Sequence, residues 1–87
     1  MPQNNQIEDN SLAESHEIAR AYIDVKYRGA DAESLATRCR DWLADCEARE
    51  WRVREEFAGN RMLPSQLDLL DRARERVCAV HSNLVPA

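Results

Sequence analysis

Three cysteines and two histidines are the residues of this chain best suited to bind a metal ion. Cys78 and His81 stand three positions apart, which places both side chains on one face of a helix. Cys39 or Cys46 and His16 would have to complete a four-ligand zinc site from other helices. Cys39 and Cys46 lie about 10 Å apart along a helix axis, so one ion does not bind both. We therefore expect no metal site, and we interpret the thiols as small buried apolar groups.

The sequence offers little support for catalysis. A Cys–His pair makes a nucleophile where the thiolate is partly exposed in electropositive surroundings, but these cysteines lie on or beside apolar stripes. The 16 acidic residues are spread over polar faces beside arginines, without a pair isolated in an apolar pocket. There is no glycine-rich phosphate loop and no Gly-x-Ser-x-Gly elbow. We expect a protein that is not an enzyme and needs no cofactor.

The two tryptophans, nine positions apart in RDWLADCEAREWR, are the more informative pair. In a helix, nine steps of about 100° place the two indoles on opposite sides. Trp42 belongs to an apolar stripe, whereas the neighbours of Trp51 are small or charged. Small residues allow close helix approach, and Trp is enriched among interface anchors. The candidate partner-binding residues are Trp51, Ala44, Ala48, Glu47, Arg54, Glu55 and Ala58.

Three interpretations of Trp51 follow from its position. It anchors a partner or a second copy, or it is buried because the neighbouring helices clasp the central helix from both sides. In the third, it is a singly exposed aromatic residue along its own Arg and Glu stems, without a role. We favour the partner surface, whose glutamates would suit a partner rich in Arg or Lys.

The first helix is predicted over about residues 12–28. Ser11 and Glu14 have the spacing of a capping box, and Gly29 is placed to end the helix. Residues 1–10 are polar and without periodicity, which predicts a flexible, disordered tail. The predicted apolar side consists of Leu12, His16, Ile18, Ala19, Tyr22, Ile23 and Val25.

The central helix is predicted over about residues 32–58, with Asp31 as its N-cap and Gly59 after its end. This makes it about ten residues longer than either neighbour, which would leave part of it uncovered. Arg49 and Glu56 interrupt the apolar seam, so we expect a core-facing helix and not a long coiled coil. The seam consists of Leu35, Cys39, Trp42, Cys46, Val53 and Phe57.

The third helix is predicted over about residues 65–82, beginning with Pro64 in its first turn or with Ser65 as a cap. Its predicted apolar side consists of Leu69, Leu70, Ala73, Val77, Val80, His81 and Leu84. Short connections make neighbouring helices antiparallel. The expected architecture is an all-α three-helix bundle with a long central helix, one domain over residues 11–84.

Composition restricts the protein's class and location. The net charge is −4, with acids and bases interleaved, so the broad basic footprint of a nucleic-acid binder is absent. No run of 18 apolar residues suggests a membrane span, and the first ten residues do not have the pattern of a signal peptide. An odd number of cysteines disfavours a secreted disulfide framework. We expect a cytoplasmic protein.

A DNA-binding regulator is the alternative function. The last third of the chain carries Arg61, Arg72, Arg74 and Arg76 on and before the third helix. However, Asp68 lies near the start of that helix, where it would repel phosphate, and pairs such as Asp68–Arg72 favour a solvated face.

The expected function is therefore contact with another protein. Antitoxins, small regulators, secretion chaperones and phage-borne inhibitors share this size, helicity and lack of catalytic residues, without a motif in common with this chain. We expect an acidic adaptor, regulator or inhibitor that forms a homodimer through its central helix.

Overall fold

A computed structural model describes residues 10–85, and the regular secondary structure of this part of the chain is entirely helical, without strands. Helix α1 spans Ser11–Arg28, α2 spans Ala32–Ala44, α3 spans Cys46–Glu56 and α4 spans Leu63–Leu84. Because α2 and α3 follow one another directly, they form one bent central segment between α1 and α4. The expected all-α arrangement of three helical segments is confirmed, while the predicted tail, apart from Asn10, lies outside the described residues.

The central segment bends at Asp45. The backbone there has φ −84° and ψ −6°, which departs from α-helical ψ. The Asp45 amide donates to the carbonyls of both Asp41 and Trp42, each at 3.1 Å, so the last turn of α2 tightens toward a 3₁₀ geometry. The Arg49 amide still bonds to the Asp45 carbonyl at 3.0 Å. The helix predicted over about residues 32–58 is therefore two helices with a bend between them.

The expected difference in helix length is not observed. The central segment has 25 residues and the last helix 22, whereas the first has 18. Helix α4 begins at Leu63 with Pro64 in its first turn, one of the two predicted starts, and continues to Leu84. The central segment stops at Glu56, before Gly59 adopts a positive φ of 73°.

Two of the predicted helix ends are confirmed. Gly29 ends α1 in the left-handed conformation, with φ 74°, and its amide bonds to the Asp24 carbonyl. Asp31 caps α2, because its carboxylate accepts a hydrogen bond from the Glu33 amide at 3.1 Å. By contrast, the predicted capping box at the start of α1 does not form. The N-cap is Asn10, and the side chains of Ser11 and Glu14 bond to side chains of other helices.

All of the helices contribute to one core, with α1 against α4 as the most extensive contact. The predicted seam of the central segment is buried from Leu35 to Val53, and Phe57 is half-buried. The core cluster consists of Ile18, Leu35, Cys39, Trp42, Cys46, Leu70, Ala73, Val77 and Val80.

Helix α1 buries most of its predicted apolar side, because Ile18 lies in the core and Leu12, Ala19, Tyr22 and Val25 pack against it. His16 and Ile23 are exposed, although the apolar pattern placed them toward the core. Ser11 and Ser15 are buried instead, since both hydroxyls accept hydrogen bonds from arginines of the other helices. Leu69 of α4, also predicted on an apolar side, is 38% exposed. No helix in the described part of the chain has the length and apolar character needed to cross a membrane.

Candidate interaction surface

The two tryptophans have opposite environments. Trp42 is 7% exposed, and its indole nitrogen donates to Glu14 Oε1 at 2.9 Å. Trp51 is 63% exposed on α3. The interpretation in which flanking helices clasp the central segment and bury both indoles is therefore wrong. A partner surface and a singly exposed Trp are the interpretations that agree with this exposure.

All seven predicted partner-binding residues are exposed, but they do not share one straight helix. Ala44 is the last residue of α2, before the bend at Asp45, and Ala58 lies in the turn after α3. The five others form a continuous face of α3 that we call the Trp51 surface: Glu47, Ala48, Trp51, Arg54 and Glu55.

The charges of the Trp51 surface are only partly neutralised within the chain. Arg54 bonds to Glu50 Oε2 through Nε at 3.0 Å and through Nη2 at 2.9 Å. Neither Glu47 nor Glu55 forms an ion pair with another described residue. The indole thus lies between two carboxylates, one helical turn before it and one turn after it, that are free to pair with a cation.

Helix α3 is the least covered of the four helices. Among the described helices it packs on α4 and adjoins α2, and α1 reaches it through side chains of its first turn. Only Cys46 and Val53 of its 11 residues are buried. A cleft of about 310 Å³ opens between α3 and α4, over an apolar floor that includes Leu70, and ion-paired side chains line its edges. One side of α3 therefore faces solvent along its whole length.

The polar cluster around Arg49 holds α1 and α3 together. The guanidinium, whose side chain is 14% exposed, lies 2.8 Å from Glu14 Oε1 through Nη2 and 3.0 Å from Asp45 Oδ2 through Nε. Its Nη1 donates to Ser11 Oγ at 2.9 Å, and its Cζ lies 4.9 Å from the centre of the Trp42 ring. We call these five residues the Arg49 cluster.

The sequence contains a signal for the Arg49 cluster. Arg49 occupies a seam position where an apolar residue is expected, so it interrupts the seam. A buried arginine needs a carboxylate and further acceptors around it. Glu14 and Ser11, which local spacing assigned to a helix cap, supply them from 35 and 38 positions away.

Two of the three cysteines belong to the core. Cys39 and Cys46 are buried, and desolvation raises the pKa of both thiols although nearby arginines oppose the shift. Cys78 is exposed, and the half-buried His81 lies one turn further along α4. The described residues include no group of three or more His, Cys, Asp or Glu side chains placed to hold a metal ion.

Each of the three arginines of α4 forms an ion pair or a hydrogen bond within the chain. Arg72 pairs with Asp68 at 3.0 Å, as the sequence spacing predicts, and Arg74 pairs with Asp71 at 2.6 Å. Arg76 donates to Ser15 Oγ at 3.1 Å. Because two of the three positive charges are neutralised within the helix, this face offers phosphate less attraction than its arginine content suggests.

Comparison of the chain with family models, with curated proteins and with solved structures finds no match. The functional argument therefore rests on the residues of the Trp51 surface.

Proposed function

We propose that this protein acts by binding another protein through the Trp51 surface, as an adaptor, regulator or inhibitor. The observation that carries the proposal is the 63% exposure of Trp51 on a helix packed along only one side. A large exposed aromatic residue gains most from burial by a partner, and Trp is the residue type most enriched among interface hot spots.

The flanking charges support a contact function further. Glu47 and Glu55 lie one turn on either side of the indole and form no ion pair with another described residue, so a partner can neutralise them. Tyr27 on α1, 73% exposed, provides the contrast, because its ring already has a cation partner, the Lys26 ammonium at 5.6 Å from the centroid.

Site-specific photocrosslinking in the source cells tests the proposal. We place p-benzoylphenylalanine at position 51 in one variant and at position 27 in a control variant. We expect position 51 to give a discrete adduct, either with a second copy of the chain or with a different protein, and position 27 to give none. Equal labelling from both positions, or no adduct from position 51, would contradict a binding role for the Trp51 surface.

A further inference from the structure

We infer that a second copy of this chain docks on the Trp51 surface, with the two α3 helices antiparallel about a twofold axis at Trp51. This inference rests on the proposed function and names one partner for the same surface. Its starting point is the uncovered side of α3, where Trp51 stands in the middle of Cys46–Glu56. A twofold axis at the middle residue brings the two indoles together, and aromatic pairs of this kind stabilise interfaces.

The register of such a pair follows from the positions on α3. Residues that precede Trp51 in one copy lie level with residues that follow it in the other. With about 100° per residue, Glu47 and Arg54 fall on one side of the line through Trp51, and Ala48 and Glu55 fall on the other. A twofold axis perpendicular to both helices keeps these sides matched. Arg54 of each copy therefore faces Glu47 of the second copy, and Glu55 faces the small Ala48.

Arg54 and Glu47 can form ion pairs between the two copies without losing a contact within either copy. Arg54 uses Nε and Nη2 for Glu50, and no hydrogen bond to a described residue occupies its Nη1. Glu47 is exposed and forms no ion pair with the described residues. Two symmetric Arg54–Glu47 pairs thus form without breaking the Glu50–Arg54 contact. The surface is self-complementary in charge, which is the requirement of a twofold interface.

The antiparallel arrangement is favoured over the parallel one by the helix dipoles. Two parallel α3 helices place like partial charges side by side at both ends, whereas antiparallel helices place opposite ones there. A parallel pair also replaces the Arg54–Glu47 contact by one between Arg54 and Glu55. The two arrangements therefore predict different rescuing substitutions.

The dimer is expected to be weak. With 11 residues, α3 is about 16 Å long, so the contact buries less area than a standard protein interface. We expect a dissociation constant on the order of tens of micromolar.

Sedimentation equilibrium of the full chain, from about 1 to about 500 µM, tests the inference. We expect Glu47→Arg and Arg54→Glu each to weaken the dimer at least about tenfold, because each places like charges together. The double variant, Glu47→Arg with Arg54→Glu, restores association to within about threefold of the original chain. Glu75→Arg on α4 is the matched control for charge reversal, and circular dichroism confirms that every variant folds.

Two results would overturn the inference: a chain that stays monomeric over the whole range, or rescue by Arg54→Glu with Glu55→Arg in place of the Glu47 combination. If the chain is monomeric while position 51 still crosslinks to a different protein, self-docking fails and the proposed function stands. If neither association nor crosslinking occurs, both fail.

Discussion

Two tryptophans on one bent helical segment show how differently the same residue type is used. Trp42 is buried against α1, where Glu14 accepts its N–H and Arg49 covers its ring. Trp51, six residues after the bend at Asp45, has its indole in solvent. The difference comes from the coverage of the helix. Helix α2 packs against both α1 and α4, whereas α3 packs against α4 on one side.

The largest expected effect comes from Trp42→Ala. Removing a buried indole leaves a cavity and also leaves Glu14 without its N–H donor, so we expect a loss of about 3–5 kcal/mol in the free energy of unfolding. Urea denaturation followed by far-ultraviolet circular dichroism measures it. A loss below about 1 kcal/mol would show that Trp42 is not the centre of the core.

The second-largest effect on stability is expected in the Arg49 cluster, which connects α1 with α3. Arg49→Met keeps the length of the side chain but removes the charge from Glu14 and Asp45, so we expect a loss of about 2 kcal/mol. The estimate is below that for a fully buried pair because the Glu14 side chain is 38% exposed.

The matched control for this change is Arg54→Met, which breaks the exposed pair with Glu50 and should cost less than about 0.5 kcal/mol. Urea denaturation of the two variants under identical conditions gives the comparison. Equal losses would mean that burial of Arg49 contributes nothing beyond an exposed ion pair.

The smallest effect on stability is expected from Trp51→Ala. Because the side chain makes few contacts within the chain, the free energy of unfolding should change by less than about 0.5 kcal/mol. Sedimentation of the same variant should show weaker self-association, while Tyr27→Ala, which removes another exposed aromatic residue, should leave association unchanged. Unfolding of Trp51→Ala at the urea concentration that unfolds Trp42→Ala would refute the contrast between the two tryptophans.

Much of the fold could be predicted from the sequence. The periodicity of apolar residues predicts the buried seam from Leu35 to Val53, and Gly29 and Asp31 mark helix ends through their backbone preferences. These features depend on residues close together in the chain, which is why local patterns contain them. The opposite directions of Trp42 and Trp51 likewise follow from helical spacing alone.

The Arg49 cluster depends on contacts between distant segments. Ser11 and Glu14 suit a local cap equally well, and only packing against the central segment brings Arg49 within hydrogen-bond distance of both. The Arg49 guanidinium, on a side chain only 14% exposed, bonds to Ser11 and Glu14 in place of a local cap.

The sequence by itself determines that the chain is helical, that α1 ends at Gly29 and α2 begins after Asp31, and that the two indoles point in different directions. Tertiary packing decides how much of each helix is covered, and so which indole remains in solvent. The physical reason is that spacing along a helix sets the direction of a side chain, whereas burial also requires another segment on that side. For Trp42 that segment is α1, and on the side of Trp51 no described helix packs.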